Sequence, residues 1–297
     1  MTNPALSRNR HSTVDPSEAG QLDKTHRKAY LNSKGINPNA QCQLDLIFPL
    51  TVGDREDLRH IPNDYARSSL FTARNKSIPR KTLMHESLFH YNEFVTILYT
   101  GIELRAEDDE IVWLQILNYG QAVPLGEPFE FSVKDLVRDV NWSKSGRNYD
   151  RVRESISRLK ANEIFSLNTK AYGKSGAISL IHNYTVINDA EGKPTKYRVC
   201  IAPNLIVLFA GNTFTSHTWQ IYRDLSPVAR RLTDYIESHK YPFPLGLEKF
   251  RQMCGSADGS TTSWRQTVKR ACAEVTRAKI ARMATLMKND KICCVRE

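Results

Sequence analysis

The sequence contains no long hydrophobic run. Its longest uninterrupted apolar stretch spans residues 205–210, whereas a membrane-spanning helix needs about 20 apolar residues. The first residues, beginning Met1-Thr2-Asn3-Pro4, also lack the apolar core of a secretory signal. We therefore expect a soluble, cytoplasmic protein that does not bind membranes.

Cysteine and histidine patterns of known chemistry are also missing. The 6 cysteines form no C-x-x-C pair, and the 8 histidines form no H-x-H pair, which a metal-dependent nicking enzyme would be expected to contain. No G-x-S-x-G sequence is present. Gly173-Lys174-Ser175 is similar to the end of a phosphate-binding loop, but Asn168 occupies the position of the required glycine. The sequence thus predicts reduced thiols, no metal, no cofactor and no catalytic activity.

What the sequence does contain is a large excess of positive charge. Lys and Arg total 42 against 32 Asp and Glu, giving a formal net charge of +10, and 40% of the residues are hydrophobic. The apolar content is sufficient for folded cores. A basic surface attracts anionic partners, of which nucleic acid is the first candidate.

Residues 1–60 are predicted to form a flexible N-terminal arm, because few apolar residues occur there and they follow no sustained period. The exception is the apolar island Gln43-Leu44-Asp45-Leu46-Ile47-Phe48. Such an island suits either an extended peptide that docks into a groove or an edge strand of the next domain. Spacing alone favours the strand.

The pattern from residue 129 to residue 188 predicts helix, turn, helix and β-hairpin. Ser132 is a plausible N-cap for a helix over 133–138, and a second helix over 148–162 has its apolar positions on one face. The β-prone runs 164–169 and 177–187 then form a hairpin. An acidic hairpin at 107–110 and an apolar helix over 111–117 precede this segment.

The same order recurs nearer the C-terminus. Ser226-Pro227 opens a helix, a short helix over 247–254 ends at Gly255, and a long amphipathic helix runs from 263 to about 281. We therefore predict an α+β fold with two tandem winged-helix domains, each a helix-turn-helix plus β-hairpin wing. Their predicted ranges are 61–190 and 191–297.

Basic and neutral polar residues in these units are the candidate DNA-binding residues, because Arg, Lys and Gln form hydrogen bonds with base edges or phosphates. A solvated helix face is the alternative interpretation. The predicted main reader is the second domain, with Thr262, Arg265, Gln266, Lys269, Arg270 and Arg277. The first domain contributes Lys144, Arg147, Asn148, Arg151, Arg158, Lys170 and Lys174. The basic stretch before it adds backbone contacts from Arg67, Arg74, Lys76 and Arg80.

The run Ile61–Lys76, IPNDYARSSLFTARNK, together with the tandem winged-helix pattern, closely resembles the TrfA family of plasmid replication initiators. The resemblance covers nearly all of the chain after about residue 40. It implies binding to iteron repeats in duplex origin DNA, opening of the adjacent A+T-rich region and contact with its single strands. It also implies recruitment of the host initiator DnaA, the replicative helicase and polymerase components, and a dimer–monomer equilibrium.

This resemblance changes the interpretation of the apolar island. Gln43, Leu44, Leu46 and Phe48 match, position by position, the peptide that bacterial proteins insert into the sliding clamp of the replicative polymerase. With the family context, the clamp-binding peptide becomes the favoured interpretation. Two alternatives to an initiator remain open: a winged-helix transcriptional repressor, which would have no use for such a peptide, and a DNA-nicking replication enzyme.

Overall fold

Helices and strands alternate along the chain, which confirms the predicted α+β class. The computed structural model describes residues 57–121, 123, 126–168, 176–202, 205, 214–256 and 259–296. Through residue 200 the elements are β1 Leu58–Pro62, α1 Asn63–Ala66, β2 Phe71–Thr72, β3 Thr82–Leu88, β4 Val95–Ile102, β5 Leu104–Arg105, α2 Asp109–Gly120, β6 Phe129–Ser132, α3 Val133–Asp139, α4 Gly146–Lys160, β7 Asn162–Asn168, β8 Gly176–Ile178, β9 Asn183–Asn188 and β10 Pro194–Cys200. Beyond it they are β11 Phe214–Thr218, α5 Trp219–Tyr222, α6 Pro227–Glu237, β12 Leu245–Gly246, α7 Leu247–Met253, α8 Thr261–Arg277, β13 Ala281–Leu286 and β14 Lys291–Arg296.

The first helical unit, residues 109–200, consists of α2, α3 and α4 packed with a sheet of order β6-β10-β9. As predicted, Ser132 caps α3, since its Oγ accepts a hydrogen bond of 2.9 Å from the backbone N–H of Asp135. The predicted apolar face of α4 is also confirmed, because Val152, Ile156 and Leu159 are fully buried. This face leaves the opposite side of α4 to solvent.

The second helical unit, residues 227–296, repeats this order with α6, α7 and α8 and a sheet of order β12-β14-β13. In both units the strand before the second helix pairs with the last strand of the hairpin. Gly255 lies just beyond α7 with a φ of +59°, as expected of the glycine that follows a helix C-cap. Helix α8 ends at Arg277, four residues before the predicted end, because Lys279 takes a φ of +58° and the chain turns into β13.

The predicted hairpin over 164–187 is only partly correct. Strand β7 does pair with β8, with Ile164 opposite Ile178, in a four-stranded sheet of order β3-β4-β7-β8. The second predicted strand is divided, however, because Leu180 and Ile181 leave the sheet and are buried in the core. The chain then continues as β9, which pairs with β10.

This β9–β10 pairing also bears on the domain ranges. The predicted boundary between residues 190 and 191 falls in the turn between two strands that pair along their length, from Asn188 with Pro194 to Asn183 with Cys200. Strand β10 pairs with β6 on its other side. It therefore belongs to the sheet of the first helical unit.

The predicted acidic hairpin at 107–110 is wrong, since Asp109 and Glu110 form the first turn of α2. The Asp108 side chain accepts a hydrogen bond from the backbone N–H of Asp109. Acidic side chains at a helix N-terminus are stabilised by its unpaired N–H groups. The same charges that indicated a turn therefore begin a helix.

Strand β1 pairs with β11 and brings the segments before and after the first helical unit together. Beneath this ribbon Arg231 of α6, fully buried, donates hydrogen bonds to Glu110 of α2 at 2.9 Å and to Asp234 at 2.6 Å. It also donates to the carbonyl oxygens of Ala66 and Ser68, at 2.8 and 2.7 Å. One side chain thus connects both helical units and the α1 segment.

His217 of β11 extends this buried network. Its ring lies 2.9 Å from the Asp234 carboxylate and pairs with Glu237. Burial lowers the pKa of His217, but its interactions with the Asp234 and Glu237 carboxylates outweigh burial and raise the pKa to about 9.

Within the described residues, no helix has the length and apolar character needed to cross a membrane.

Candidate nucleic-acid interface

Helix α8 has one buried face and one strongly cationic face. Its buried residues are Trp264, Val268, Ala271, Cys272 and Val275. The exposed residues include all but one of the predicted readers on this helix, namely Thr262, Gln266, Lys269, Arg270 and Arg277. We call these five residues the α8 reader face. Its positions are separated by about one or two helical turns, with Lys269 and Arg270 adjacent, so its side chains follow one side of a helix long enough to lie in a major groove.

The remaining predicted reader, Arg265, is engaged within the protein. Its guanidinium forms an ion pair with Asp290, in the turn between β13 and β14. The backbone oxygen of Asp290 also accepts a hydrogen bond of 2.8 Å from the N–H of Leu247. Arg265 therefore fixes the hairpin turn beside α8, which is a positioning role.

Glu274, the only carboxylate on α8, is turned away from the reader face. It accepts two hydrogen bonds of 2.6 Å from Ser226, one from the backbone N–H and one from the hydroxyl. Ser226 is the residue before α6, as predicted, but its hydroxyl donates to Glu274 and makes no capping bond of its own. The reader face consequently contains cations and neutral polar groups and no acid.

Four exposed cations of the β13–β14 hairpin were not predicted as site residues: Arg282, Lys288, Lys291 and Arg296. The turn that Arg265 holds places Lys288 and Lys291 next to Asp290, and so near the reader face. A signal was present in the sequence, since the cluster of seven basic residues after Ser260 extends to Lys288. The ion pair between Arg265 and Asp290 could not be read from it.

The corresponding helix of the first unit, α4, carries a mixed set of charges. Lys144 and Arg147 are exposed as predicted, at the turn before α4 and on its first turn. Asp150 and Glu154 are also exposed on this helix, where they pair with Arg153 and Arg158. The exposed face of α4 is therefore less favourable to an anionic ligand than that of α8.

Three other predicted residues of α4 make contacts within the protein. The Asn148 amide donates to the backbone oxygen of Ser143 at 2.8 Å. The Arg151 guanidinium lies 4.0 Å from the centre of the Trp142 ring and 3.4 Å from the Glu107 carboxylate. The Arg158 guanidinium binds the carboxylates of Asp108 and Asp109.

Asp108 and Asp109 at the start of α2 bind two of the predicted phosphate-contacting cations, Arg80 and Arg158. The nearest distances from Asp109 are 2.8 Å to Arg80 and 3.0 Å to Arg158. Burial raises the pKa of Asp108, but Arg80 and Arg158 outweigh it and lower the pKa below its ordinary value. Asp109, buried beside Asp108, has its pKa raised to about 6.

Two further residues of the basic stretch, Arg74 and Arg67, also have partners within the protein. Arg74 is 6% exposed and forms a 2.6 Å ion pair with Glu103. The Arg67 guanidinium donates to the hydroxyl and backbone oxygens of Ser238. Lys76 alone is freely exposed, with 74% of its side chain accessible. Arg74, Arg80 and Arg158 thus stabilise the fold, and we exclude them from the proposed interface.

Six predicted site residues lie outside the described part of the chain. They are Lys170 and Lys174, between β7 and β8, and the four residues of the apolar island, Gln43, Leu44, Leu46 and Phe48.

Fold and surface together define an α+β protein with two similar helical units, one of which presents a cationic helix and hairpin. The chain belongs to the TrfA protein family, whose model matches residues 19–296, and the resemblance inferred from the sequence is confirmed. The plasmid replication initiator protein TrfA of Escherichia coli is 45% identical over 220 residues, which is 74% of this chain. The aligned part makes up 57% of that relative, so the chain spans little more than half of its length.

The fold is also similar to solved structures of domains 2 and 3 of RctB. A selenomethionine derivative gives a TM-score of 0.52 at 13% identity, covering 72% of this chain and 85% of that one. A second RctB structure gives a TM-score of 0.50 at 12% identity, covering 79% and 97%. At such low identity the likeness concerns the fold alone.

Proposed function

We propose that this chain is a plasmid replication initiator without catalytic activity, which binds iteron repeats in duplex origin DNA. Membership of the TrfA family supports the role. The α8 reader face is the observation that carries the proposal, because it combines hydrogen-bonding groups able to read bases with cations and has no exposed carboxylate.

Both helical units, in this proposal, are winged helices. The interpretation is supported by the recurring order of helix, strand, helix, helix and hairpin, and by the identical strand order in the two sheets. In a winged helix the third helix enters the major groove and the hairpin touches the neighbouring backbone. These parts correspond to α4 and β9–β10 in the first unit and to α8 and β13–β14 in the second.

The second helical unit is the proposed main reader. Thr262, Gln266 and Lys269 would contact base edges, while Arg270 and Arg277 would contact phosphates. We add Lys288 and Lys291 of the hairpin to the phosphate contacts. The first unit, with Lys144 and Arg147, would contribute chiefly backbone contacts, since Asp150 and Glu154 reduce the positive charge of α4.

Opening of the A+T-rich region, contact with its single strands and recruitment of DnaA and the helicase are proposed from family membership. Sliding-clamp binding through the peptide at 43–48 rests on the sequence match alone. In this proposal the chain contacts the host proteins while it is bound at the origin. It acts in the cytoplasm, as a monomer or a dimer.

Footprinting on the parent plasmid's origin tests the DNA-binding proposal. Protection is expected over tandem repeats, with affinity that falls steeply as salt rises because bound phosphates release counterions. Lys269→Ala should weaken the repeat footprint, while the matched control Lys240→Ala, an exposed lysine in the loop after α6, should not. Equal affinity of the parent protein for repeats and for random duplex would refute the proposal.

A further inference from the structure

The two helical units enclose an open cleft of about 970 Å³. From the first unit it is lined by Trp142 and Arg151, and from α8 by Ser263, Thr267 and Arg270. The loop that carries Lys76 lines it as well. Because α4 and α8 both contribute side chains, the cleft lies between the two helices that we propose face DNA.

Charge in this cleft is unbalanced. Among the described residues that line it are six Lys or Arg residues and three carboxylates. Two of the carboxylates lie near lining cations, Glu107 near Arg151 and Asp224 near Arg223. Glu274 accepts hydrogen bonds from the neutral Ser226, and Arg74 is paired with Glu103. Lys76, Arg230 and Arg270 remain as further cations of the lining. The excess is therefore positive.

Two of the lining cations reach solvent without a hydrogen bond to a carboxylate. Lys76 is 74% exposed, and its ammonium is 3.9 Å from Glu107, beyond hydrogen-bonding distance. Arg270 is exposed and makes no hydrogen bond or ion pair with any residue that the structure describes. Hydroxyl groups of Ser260 and Ser263 lie along the same wall as Arg270, whereas the Thr267 hydroxyl donates to the backbone oxygen of Ser263. Separated cations and small hydroxyl donors match a chain of phosphate groups better than one compact anion.

We propose that the cleft binds the sugar–phosphate backbone of the duplex segment between the two helices, with Lys76 and Arg270 contacting its phosphates. The inference rests on the proposed function and adds to it that both units engage one continuous duplex. A backbone segment held at this point would fix the spacing at which α4 and α8 meet the DNA, because phosphate contacts set register without reading sequence.

The test combines protein variants with chemically neutralised DNA. Lys76→Ala, Arg270→Ala and the double variant are titrated against a single repeat at several salt concentrations. Each single substitution should reduce the slope of log K against log salt by about 0.9. That change makes the loss of affinity between 50 and 200 mM salt smaller by roughly three- to fourfold per contact. Lys240→Ala, whose lysine lies outside the cleft, should keep the parent slope.

The same proteins are then titrated against a repeat whose central phosphates are replaced by neutral methylphosphonates. The parent protein should bind this DNA more weakly and with a smaller salt slope. The double variant should bind both DNAs equally, because the phosphates that its lost cations contacted are already neutral. The cleft proposal is wrong if the double substitution lowers affinity, relative to the parent protein, by as much on the neutral DNA as on the natural DNA.

This outcome is distinguishable from failure of the proposed function. Only the backbone contact would be refuted if the protein prefers the repeat but neither the substitutions nor the neutral phosphates change its affinity or salt slope. A parent protein with no preference for the repeat over random duplex would refute the initiator proposal itself.

Discussion

The guanidinium of Arg265 on α8 is paired with the carboxylate of Asp290 in the β13–β14 turn. The pair lies at the edge of the reader face, and it joins the helix proposed to enter the major groove to the hairpin proposed to touch the backbone. Arg265 therefore places Lys288 and Lys291, and we expect it to affect DNA binding through them.

Substitution of either partner tests this positioning role. Arg265→Ala and Asp290→Ala should both weaken binding to the repeat, because either change releases the hairpin turn. The result for Asp290→Ala is diagnostic, since removal of a negative charge would otherwise strengthen binding to DNA. Fluorescence anisotropy would measure both variants, with Glu163→Ala, which removes an exposed carboxylate from β7, as the control. Tighter binding by Asp290→Ala would mean that the pair only masks the Arg265 charge.

Residues of the reader face should divide into two groups. Gln266→Ala and Lys269→Ala are expected to cost about 1–3 kcal/mol on the cognate repeat and little on random duplex, because they remove base contacts. Arg277→Ala should weaken binding to both DNAs and lower the salt slope by about one. Parallel titrations on the two duplexes make the comparison. Equal losses on both DNAs for Lys269→Ala would reassign Lys269 to phosphate contact.

Arg231 is expected to dominate the stability of the contact between the units. Arg231→Met leaves the Glu110 carboxylate buried without its ion-pair partner and Asp234 with His217 alone as an ion-pair partner. Removing one partner of a buried pair costs about 3–5 kcal/mol. Urea unfolding followed by circular dichroism would measure the loss. The control Arg198→Met, at an exposed position of β10, should stay within about 0.5 kcal/mol of the parent. A loss below about 1 kcal/mol for Arg231→Met would contradict the assigned role.

Stability should fall as pH rises from about 6.5 to 9. The folded protein holds a proton on His217 with a pKa of about 9, whereas an unfolded histidine has a pKa of about 6.5. The resulting stabilisation is fully present below pH 6.5, on the order of 3 kcal/mol, and is lost as pH rises through 9. Thermal unfolding at pH 6.5, 7.5 and 9 would follow the change. His217→Gln should be less stable at pH 6.5 and should lose less stability over this range; an identical pH profile would show that His217 is not its source.

The peptide at 43–48 yields a prediction that is independent of the folded units. Leu46→Ala with Phe48→Ala should abolish capture of the polymerase sliding clamp, because these two side chains would fill its apolar pocket. Repeat binding should be unchanged, and Leu31→Ala serves as the control within the same arm. Clamp capture that survives the double substitution would return this segment to the edge-strand interpretation.

Local sequence signals predicted the helices that build the interface. Helix α8 follows from its amphipathic spacing, and its N-cap, Ser260, accepts a hydrogen bond from Ser263. The exposure of the Gln266 and Lys269 side chains follows from the same spacing, because residues opposite a buried seam are exposed. Thr262 was expected in the turn before the helix, which begins at Thr261. Features that depend only on helical periodicity, such as which face of α8 is buried, could therefore be predicted from the sequence.

Ion pairs between residues far apart in the sequence could not be predicted from local sequence patterns. Arg74, Arg80 and Arg158 look like the other basic residues in sequence, but their partners are 29, 28 and 49 residues away. The division of 177–187 between two sheets depends likewise on β10, since only the pairing partner decides which sheet a β-prone run joins. Free and engaged cations become distinguishable only once the fold brings the carboxylates into place.

The β1–β11 ribbon has a consequence for how the protein is made. Leu58 lies opposite Thr218, so β1 has no partner until the ribosome has synthesised everything between them. The first helical unit is complete by then and can fold before the ribbon forms, since domains generally fold as units, N-terminal first, during synthesis. Pairing over so large a sequence separation is slow, because the intervening chain must be closed into a loop. Formation of the ribbon, and with it burial of Arg231 and His217, is therefore expected among the last steps of folding.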